Sequence, residues 1–252
     1  MKLFRKLLTS LKERGIRGTI REIIYRLNLR IRVFADRRFD RKYGIDTRGI
    51  VRLRSLDINI NQKKTAYWYE PTPIPALKFM FKMLEIDHSK YIFIDFGSGK
   101  GRVLMLASEY PYKKIIGVEV SQSLTSIAKN NFRKWNNRKQ KCFNIELICM
   151  DARDFKLPND PLVLFFFTPF QTPIITQVVN NIQESLRDNP RPIQALYYGT
   201  NREFIDILCK LNLTCREIYS RRPLSAIKKY KGFIFSQENE TFRVKVNHTS
   251  LG

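Results

Sequence analysis

The stretch FIDFGSGKGR, residues 93–102, places an acid, Asp95, inside an apolar run and two residues ahead of the first of three alternate glycines, Gly97, Gly99 and Gly101. Alternating glycines supply positive φ and let other groups come close to the backbone. In the G-x-G-x-x-G turn of dinucleotide folds that closeness serves a diphosphate. Here the third glycine comes one residue early, and a carboxylate at Asp95 repels a diphosphate while attracting an ammonium group. Two more acids end apolar runs. Glu119 closes IIGVEV, 24 residues after Asp95, near the separation of about twenty residues expected for an acid that accepts from ribose hydroxyls. Asp151 follows IELICM and is placed to accept from the exocyclic amine of an adenine, with Ala152 supplying a neighbouring backbone N–H.

Each acid alone has an ordinary reading: a cap on the glycine turn, a helix cap, a turn residue. Three acids at the ends of three successive apolar runs point together to one ligand. A molecule with an ammonium, a ribose and an adenine but no phosphate is S-adenosylmethionine. Its amino acid end is expected at Asp95 and the turn of Gly97, Ser98, Gly99 and Gly101, with its carboxylate near the following helix N-terminus.

These residues need a scaffold, and the pattern supplies one. Short apolar runs at 91–96, 114–119, 145–150, 162–167, 193–198, 214–219 and 232–236 read as strands. Amphipathic stretches at 101–110, 121–137, 171–187 and 201–211 read as helices. Strands alternating with helices predict a mostly parallel sheet covered on both faces, which binds ligands outside the carboxyl ends of its strands. Thr72 and Pro73 predict a helix start, with Thr72 as cap and Pro73 in the first turn, and Ala76, Leu77, Met80 and Leu84 form its apolar face. Residues 43–70 hold no sustained period and read as a linker free to fold over the next domain. The division expected is a basic helical extension and linker over 1–66 and a catalytic domain over 67–252.

DFGSGKGR, GVEVS, CMDARDF and LFFFTPF, taken in order, resemble the successive motifs of class I S-adenosylmethionine-dependent methyltransferases over roughly residues 67–200. The resemblance implies an α/β fold, the doubly wound Rossmann-like seven-stranded sheet of that family, and cofactor roles for Asp95, Gly97, Gly99, Glu119 and Asp151. YEPTPIPALKFM is similar to the lead-in of a bacterial subgroup, and of some protein-lysine methyltransferases, that share a D-x-G-S-G-x-G-R loop. The candidate acceptor-side elements are Thr168, Pro169 and Phe170 after the run LVLFFF, together with Tyr67, Trp68, Tyr69 and Glu70 in the lead-in and Tyr197 and Tyr198 at the end of the following strand. Amino-methylating relatives carry Asn or Asp where this chain has Thr168, so the hydroxyl departs from their pattern. Glu70 is a candidate base or cofactor contact, and an equal candidate for a surface role. Phe165, Phe166 and Phe167 fit core packing of a buried strand better than contact with an acceptor.

Composition bounds the rest. The 252 residues are 43% hydrophobic, enough for a substantial core, and 46 Lys+Arg against 23 Asp+Glu give a formal net charge of +23. Residues 1–42 alone hold 14 Lys+Arg and 4 Asp+Glu. Leu3, Phe4, Leu7, Leu8 and Leu11, then Ile20, Ile23, Ile24 and Leu27, repeat at helical spacing there. Two helices are expected, either packed on the main domain or acting as an arm for an acidic partner: nucleic acid, an anionic membrane surface or an acidic protein. Arg102, the bases from Arg133 to Lys141, and a cluster at Arg221, Arg222, Lys228, Lys229 and Lys231 are expected to extend a basic surface. Apolar runs are too short to span a bilayer and the N-terminus is interrupted by charge, so the expectation is a cytoplasmic protein, in one reading peripheral at the membrane. Cys142, Cys149, Cys209 and Cys215 lack metal-type spacing and are expected to be reduced thiols. A non-catalytic module, with an inherited cofactor pocket and a binding arm, is the alternative to an enzyme.

Overall fold

The computed structural model describes residues 2–219 and 231–237, without the side chains of 2–14, 21, 22, 24–26 and 28. The expected basic positions Arg221, Arg222, Lys228 and Lys229 and the apolar side chains of Leu3, Phe4, Leu7, Leu8, Leu11 and Ile24 lie outside the described residues.

The chain opens with α1 (Lys2–Tyr43), which breaks at Gly15, where φ is 64° and ψ 180°. The two expected helical segments therefore meet at that kink, and Gly15 alone, not Gly18, has a non-helical backbone between them. A strap follows, made of irregular chain, a single turn at Leu53–Ser55 and the short helix α2 (Ile60–Lys63), held by a reciprocal cap between Asn59 and Gln62. Helix α3 (Ile74–Lys82) starts one residue later than the Thr72–Pro73 signal predicts. Pro73 occupies the cap itself, without a side-chain hydrogen bond, and the Thr72 carbonyl accepts instead from Arg102 Nη1 at 3.3 Å.

The remainder alternates strand and helix: β1 (Ile92–Phe96), α4 (Arg102–Ala107), β2 (Lys114–Glu119), α5 (Gln122–Lys134), β3 (Ile145–Cys149), β4 (Leu162–Phe166), α6 (Thr172–Asp188), β5 (Ile193–Tyr198), α7 (Arg202–Cys209), β6 (Thr214–Tyr219) and β7 (Lys231–Ser236). The seven strands form one sheet in the order β3-β2-β1-β4-β5-β7-β6. Only β7 runs antiparallel to its neighbours, so the doubly wound α/β expectation holds. The order reverses between β1 and β4, whose register pairs Asp95 with Phe165. Ligand-binding crevices in such sheets open at that reversal, because the two crossovers leave to opposite faces.

The five residues of β1 and the five of β4 are all buried. Strands covered on both faces need continuous rather than alternating apolar sequence, which is why IFIDF and LVLFF read as they do. One core lies between the sheet and helices α6 and α7, with Phe96 stacked on Phe166 at 5.2 Å. The other lies against α3 and α4 and centres on Leu77, Phe81, Phe93 and Phe165. A smaller cluster of Ile45, Met105 and Trp135 takes in Phe39 and Tyr43, so the end of α1 is packed on the sheet's helical layer.

Candidate functional site

A cavity of about 380 Å³ opens at the reversal point. Asp95, Gly97, Ser98, Glu119, Asp151, Ala152, Thr168, Pro169, Phe170 and Glu70 all line it, as do Tyr67, Trp68 and Tyr69. Gly99 and Gly101 do not reach it and serve the turn from behind.

Asp95 is the penultimate residue of β1 and is 2% exposed. Its Oδ2 has no hydrogen-bond partner among the described residues. Burial first, and the Glu119 charge second, push its carboxyl well above the usual carboxylate range. A buried acid without a partner is costly, and such a group at a cavity wall marks a place where a cation is missing from the balance. Glu119 differs. One oxygen accepts from Gly99 N at 2.8 Å and the other from Ser121 N at 2.9 Å. Burial still raises its pKa, against the opposing pull of those bonds. The carboxylate is fixed in orientation and keeps free lone pairs toward the cavity.

Asp151 is held more tightly than expected. Its Oδ1 accepts from Arg153 N and Nε, both at 3.0 Å, and its Oδ2 from Arg153 Nη2 at 2.8 Å. These bonds draw its pKa down, so it stays ionised, a pure acceptor, at the cavity edge. Ala152 opens the single turn Ala152–Asp154 that Asp151 caps.

The glycines do something other than admit a ligand. A Cβ on Gly97 would lie 2.4 Å from Pro169 Cβ, and one on Gly99 would lie 2.3 Å from Tyr69 Cε2. Positive φ at both, 80° and 53°, lets the turn curl under those two side chains. The turn is thereby clamped between the loop after β4 and the strap. The backbone N–H groups of Gly97 and Ser98 are also spent, both on the Val118 carbonyl.

Thr168 has φ 42°, a strained conformation for a β-branched residue. Its hydroxyl lies 3.0 Å from the Tyr197 hydroxyl, which also accepts from Asn201 N at 3.3 Å. Phe165 and Phe166 are core residues as expected. Phe167, just beyond the end of β4, is partly buried and packs against the same core and on Tyr198 at 5.1 Å; it lines the cavity, as Phe165 also does. Glu70 pairs with Arg32 of α1 at 2.9 Å.

Arg102 overturns its expected place on a basic surface. It is 2% exposed, with Nη1 2.6 Å from Asp36 Oδ1, Nε donating to Thr47 Oγ1 at 2.8 Å and Asp40 3.9 Å from Nη2. Lys100 likewise binds the Asp46 carboxylate and the Arg48 carbonyl. The strap makes further ties: Asp57 accepts from Ser121 Oγ and Ser123 N at the start of α5, and Tyr69 Oη donates to the Thr47 carbonyl at 2.6 Å. No sequence period marks these pairs; the only local hint is the run of short polar residues and turns in 43–70.

The four thiols are free, and no group of metal-binding side chains occurs among the described residues. An orphaned carboxylate, a second fixed carboxylate and a third ionised one around a cavity of this size fit the ammonium, ribose and adenine expected from sequence.

The comparison with curated proteins returned no match. Solved structures similar to this chain include precorrin 8W decarboxylase of Methanobacterium thermoautotrophicum, 15% identical over 68% of this chain and 93% of that one, TM-score 0.47. Precorrin-6y C5,15-methyltransferase of Geobacter metallireducens is 13% identical over 65% and 87%, TM-score 0.45. An RNA methyltransferase of Salinibacter ruber, solved with S-adenosyl-L-homocysteine, is 16% identical over 66% and 92%, TM-score 0.42. Residues 93–189 match the family model described as a methyltransferase domain. That segment runs from β1 to the end of α6 and carries all three strand-end acids, so the chain holds a methyltransferase domain there.

Proposed function

We propose that the strand-end acids hold the cofactor and that the loop after β4, with the aromatic lead-in, holds the methyl acceptor. The observation that carries this reading is the unpartnered Asp95 carboxylate at the wall of a cavity also lined by Glu119 and Asp151. Asp95 takes the ammonium, Glu119 the ribose hydroxyls, and Asp151 with Ala152 the adenine edge; Gly97, Ser98, Gly99 and Gly101 shape the turn around them. The bound cofactor supplies a sulfonium methyl with a good leaving group already attached.

The protein's part is alignment, because an in-line displacement gains most from holding nucleophile and electrophile in one geometry. Thr168 serves that end. Its strained backbone fixes the hydroxyl, Tyr197 orients it, and Pro169 braces the loop against Gly97. The hydroxyl accepts a hydrogen bond from the acceptor group and so turns the acceptor's lone pair toward the methyl. Tyr67, Trp68, Phe167 and Phe170 give the acceptor an apolar, water-poor wall. Glu70, tied to Arg32, stands at the rim rather than beside the reacting atoms.

We also group this chain with the bacterial subgroup that pairs a PTP lead-in with a D-x-G-S-G-x-G-R loop; in support, its lead-in and loop are in contact, the Thr72 carbonyl accepting from Arg102.

Purified protein incubated with methyl-labelled S-adenosylmethionine and a cell extract, with label counted in protein, nucleic-acid, lipid and small-molecule fractions, tests the reading. Label in one fraction that vanishes in Asp95→Ala supports it and names the acceptor class. Equal labelling by Asp95→Ala contradicts the assignment of the cofactor site.

A further inference from the structure

Helix α1 has two unlike faces. Arg32, Asp36, Asp40 and Tyr43 recur at spacings of four, four and three and all turn to the domain: Arg32 to Glu70 and the Pro71 carbonyl, Asp36 to Arg102, Asp40 to Thr47 and Arg48, Tyr43 to Trp135. Ile16, Ile20, Ile23, Leu27, Ile31 and Phe34 recur at spacings of four, three, four, four and three, which puts them on one stripe. All six are exposed, Ile16 by 70% and Phe34 by 67%. Leu29 and Val33, off the stripe, are exposed as well. Single exposed aliphatic residues are ordinary, but a stripe about 27 Å long is a surface built to be covered.

We propose that α1 lies on an anionic lipid surface, with the Ile16–Phe34 stripe in the headgroup boundary. Charge selects that occupant. Exposed Arg17, Arg30, Arg37 and Arg38 accompany the stripe, within a segment of 14 Lys+Arg against 4 Asp+Glu. A second copy of so basic a helix is repelled. Nucleic acid takes the bases but has no use for an aliphatic stripe. An anionic bilayer surface takes both, each well-placed base adding about fivefold in affinity. No described helix is long and apolar enough to cross a membrane, so α1 rests on the surface. The same helix meets the cavity rim in mid-course through the Arg32–Glu70 ion pair, which fixes the mouth relative to the bilayer.

Flotation of the full chain with vesicles tests this, using phosphatidylglycerol and phosphatidylcholine in equal parts against phosphatidylcholine alone. The wild type should float with the anionic vesicles, about tenfold or more better than with neutral ones, and less as salt rises. Ile20→Ser/Leu27→Ser/Ile31→Ser should lose about tenfold or more in binding while keeping its melting temperature. Arg30→Gln/Arg37→Gln, with the stripe intact, should weaken binding at low salt. Failure of the wild type to float with anionic vesicles overturns the proposal, as does unchanged flotation of the Ser triple variant. A wild-type dimer that this variant loses in sedimentation equilibrium overturns it in favour of a second copy. The readout involves no methyl transfer, so a failure here leaves the cofactor site untouched, and the reverse.

Discussion

Two buried charges flank the glycine turn, and they are treated in opposite ways. Asp95, before it, has an oxygen with no partner and a pKa pushed up by burial. Arg102, after it, is surrounded by Asp36, Asp40, Thr47 and the Thr72 carbonyl. Both are equally buried, and Arg102 Nη2 lacks a hydrogen bond just as Asp95 Oδ2 does, so neither burial nor a missing bond distinguishes them; an opposite charge does. Arg102 has the carboxylates of Asp36 and Asp40 at 2.6 and 3.9 Å, and this paired charge anchors α1 and the strap to the turn. Asp95 has only the like charge of Glu119 beside it and costs stability until something cationic arrives, which is how a binding site differs from a structural ion pair.

The contrast can be broken from the Arg102 side with the largest effect. Arg102→Met leaves Asp36 and Asp40 without their cation and should cost about 3–5 kcal/mol of unfolding free energy, read from chemical denaturation. Asp36→Leu added to it should return part of that loss. A smaller loss, about 2 kcal/mol, is expected for Gly99→Ala, because φ there is positive and the new Cβ meets the Tyr69 ring; thermal melting checks it.

The Asp95 side is sharpened by pH. Its folded pKa lies above the ordinary 3.8, so the unfolded chain ionises first. The penalty is therefore absent below that ordinary value, grows as pH rises, and is complete above the folded pKa. Stability of the cofactor-free protein should fall across that window, Glu119 adding a share of the same sign. Saturating S-adenosylhomocysteine should flatten the fall, and melting curves against pH read both. The smallest effect belongs to Tyr197→Phe, which frees the Thr168 hydroxyl and should cost about 1 kcal/mol, a few-fold in kcat with KM for cofactor unchanged.

The strand-end acids were legible because each sits at the edge of an apolar run whose length and β-branched content mark a strand; 114–119, 193–198 and 214–219 agree with β2, β5 and β6 to the residue. The partners of Arg102 were not legible. They lie 55 and 66 residues away, and a polar pair between an irregular strap and a helix leaves no period to read. A basic residue beside a glycine turn therefore looked like surface. The Thr72 signal misled for a related reason: its carbonyl was wanted by Arg102, and Pro73 took the cap. Tyr69 over Gly99 shows the same limit, since a glycine's need is visible in sequence while the side chain that creates it is not.

The most direct measurement is calorimetric titration of S-adenosylhomocysteine into wild type and Asp95→Asn near neutral pH, with the melting temperature of each ligand-free protein recorded beside it. The account predicts opposite changes: affinity falls by about 30-fold or more while the ligand-free melting temperature rises. Affinity equal to wild type would contradict it, since the unpartnered carboxylate would then have no part in holding the cofactor.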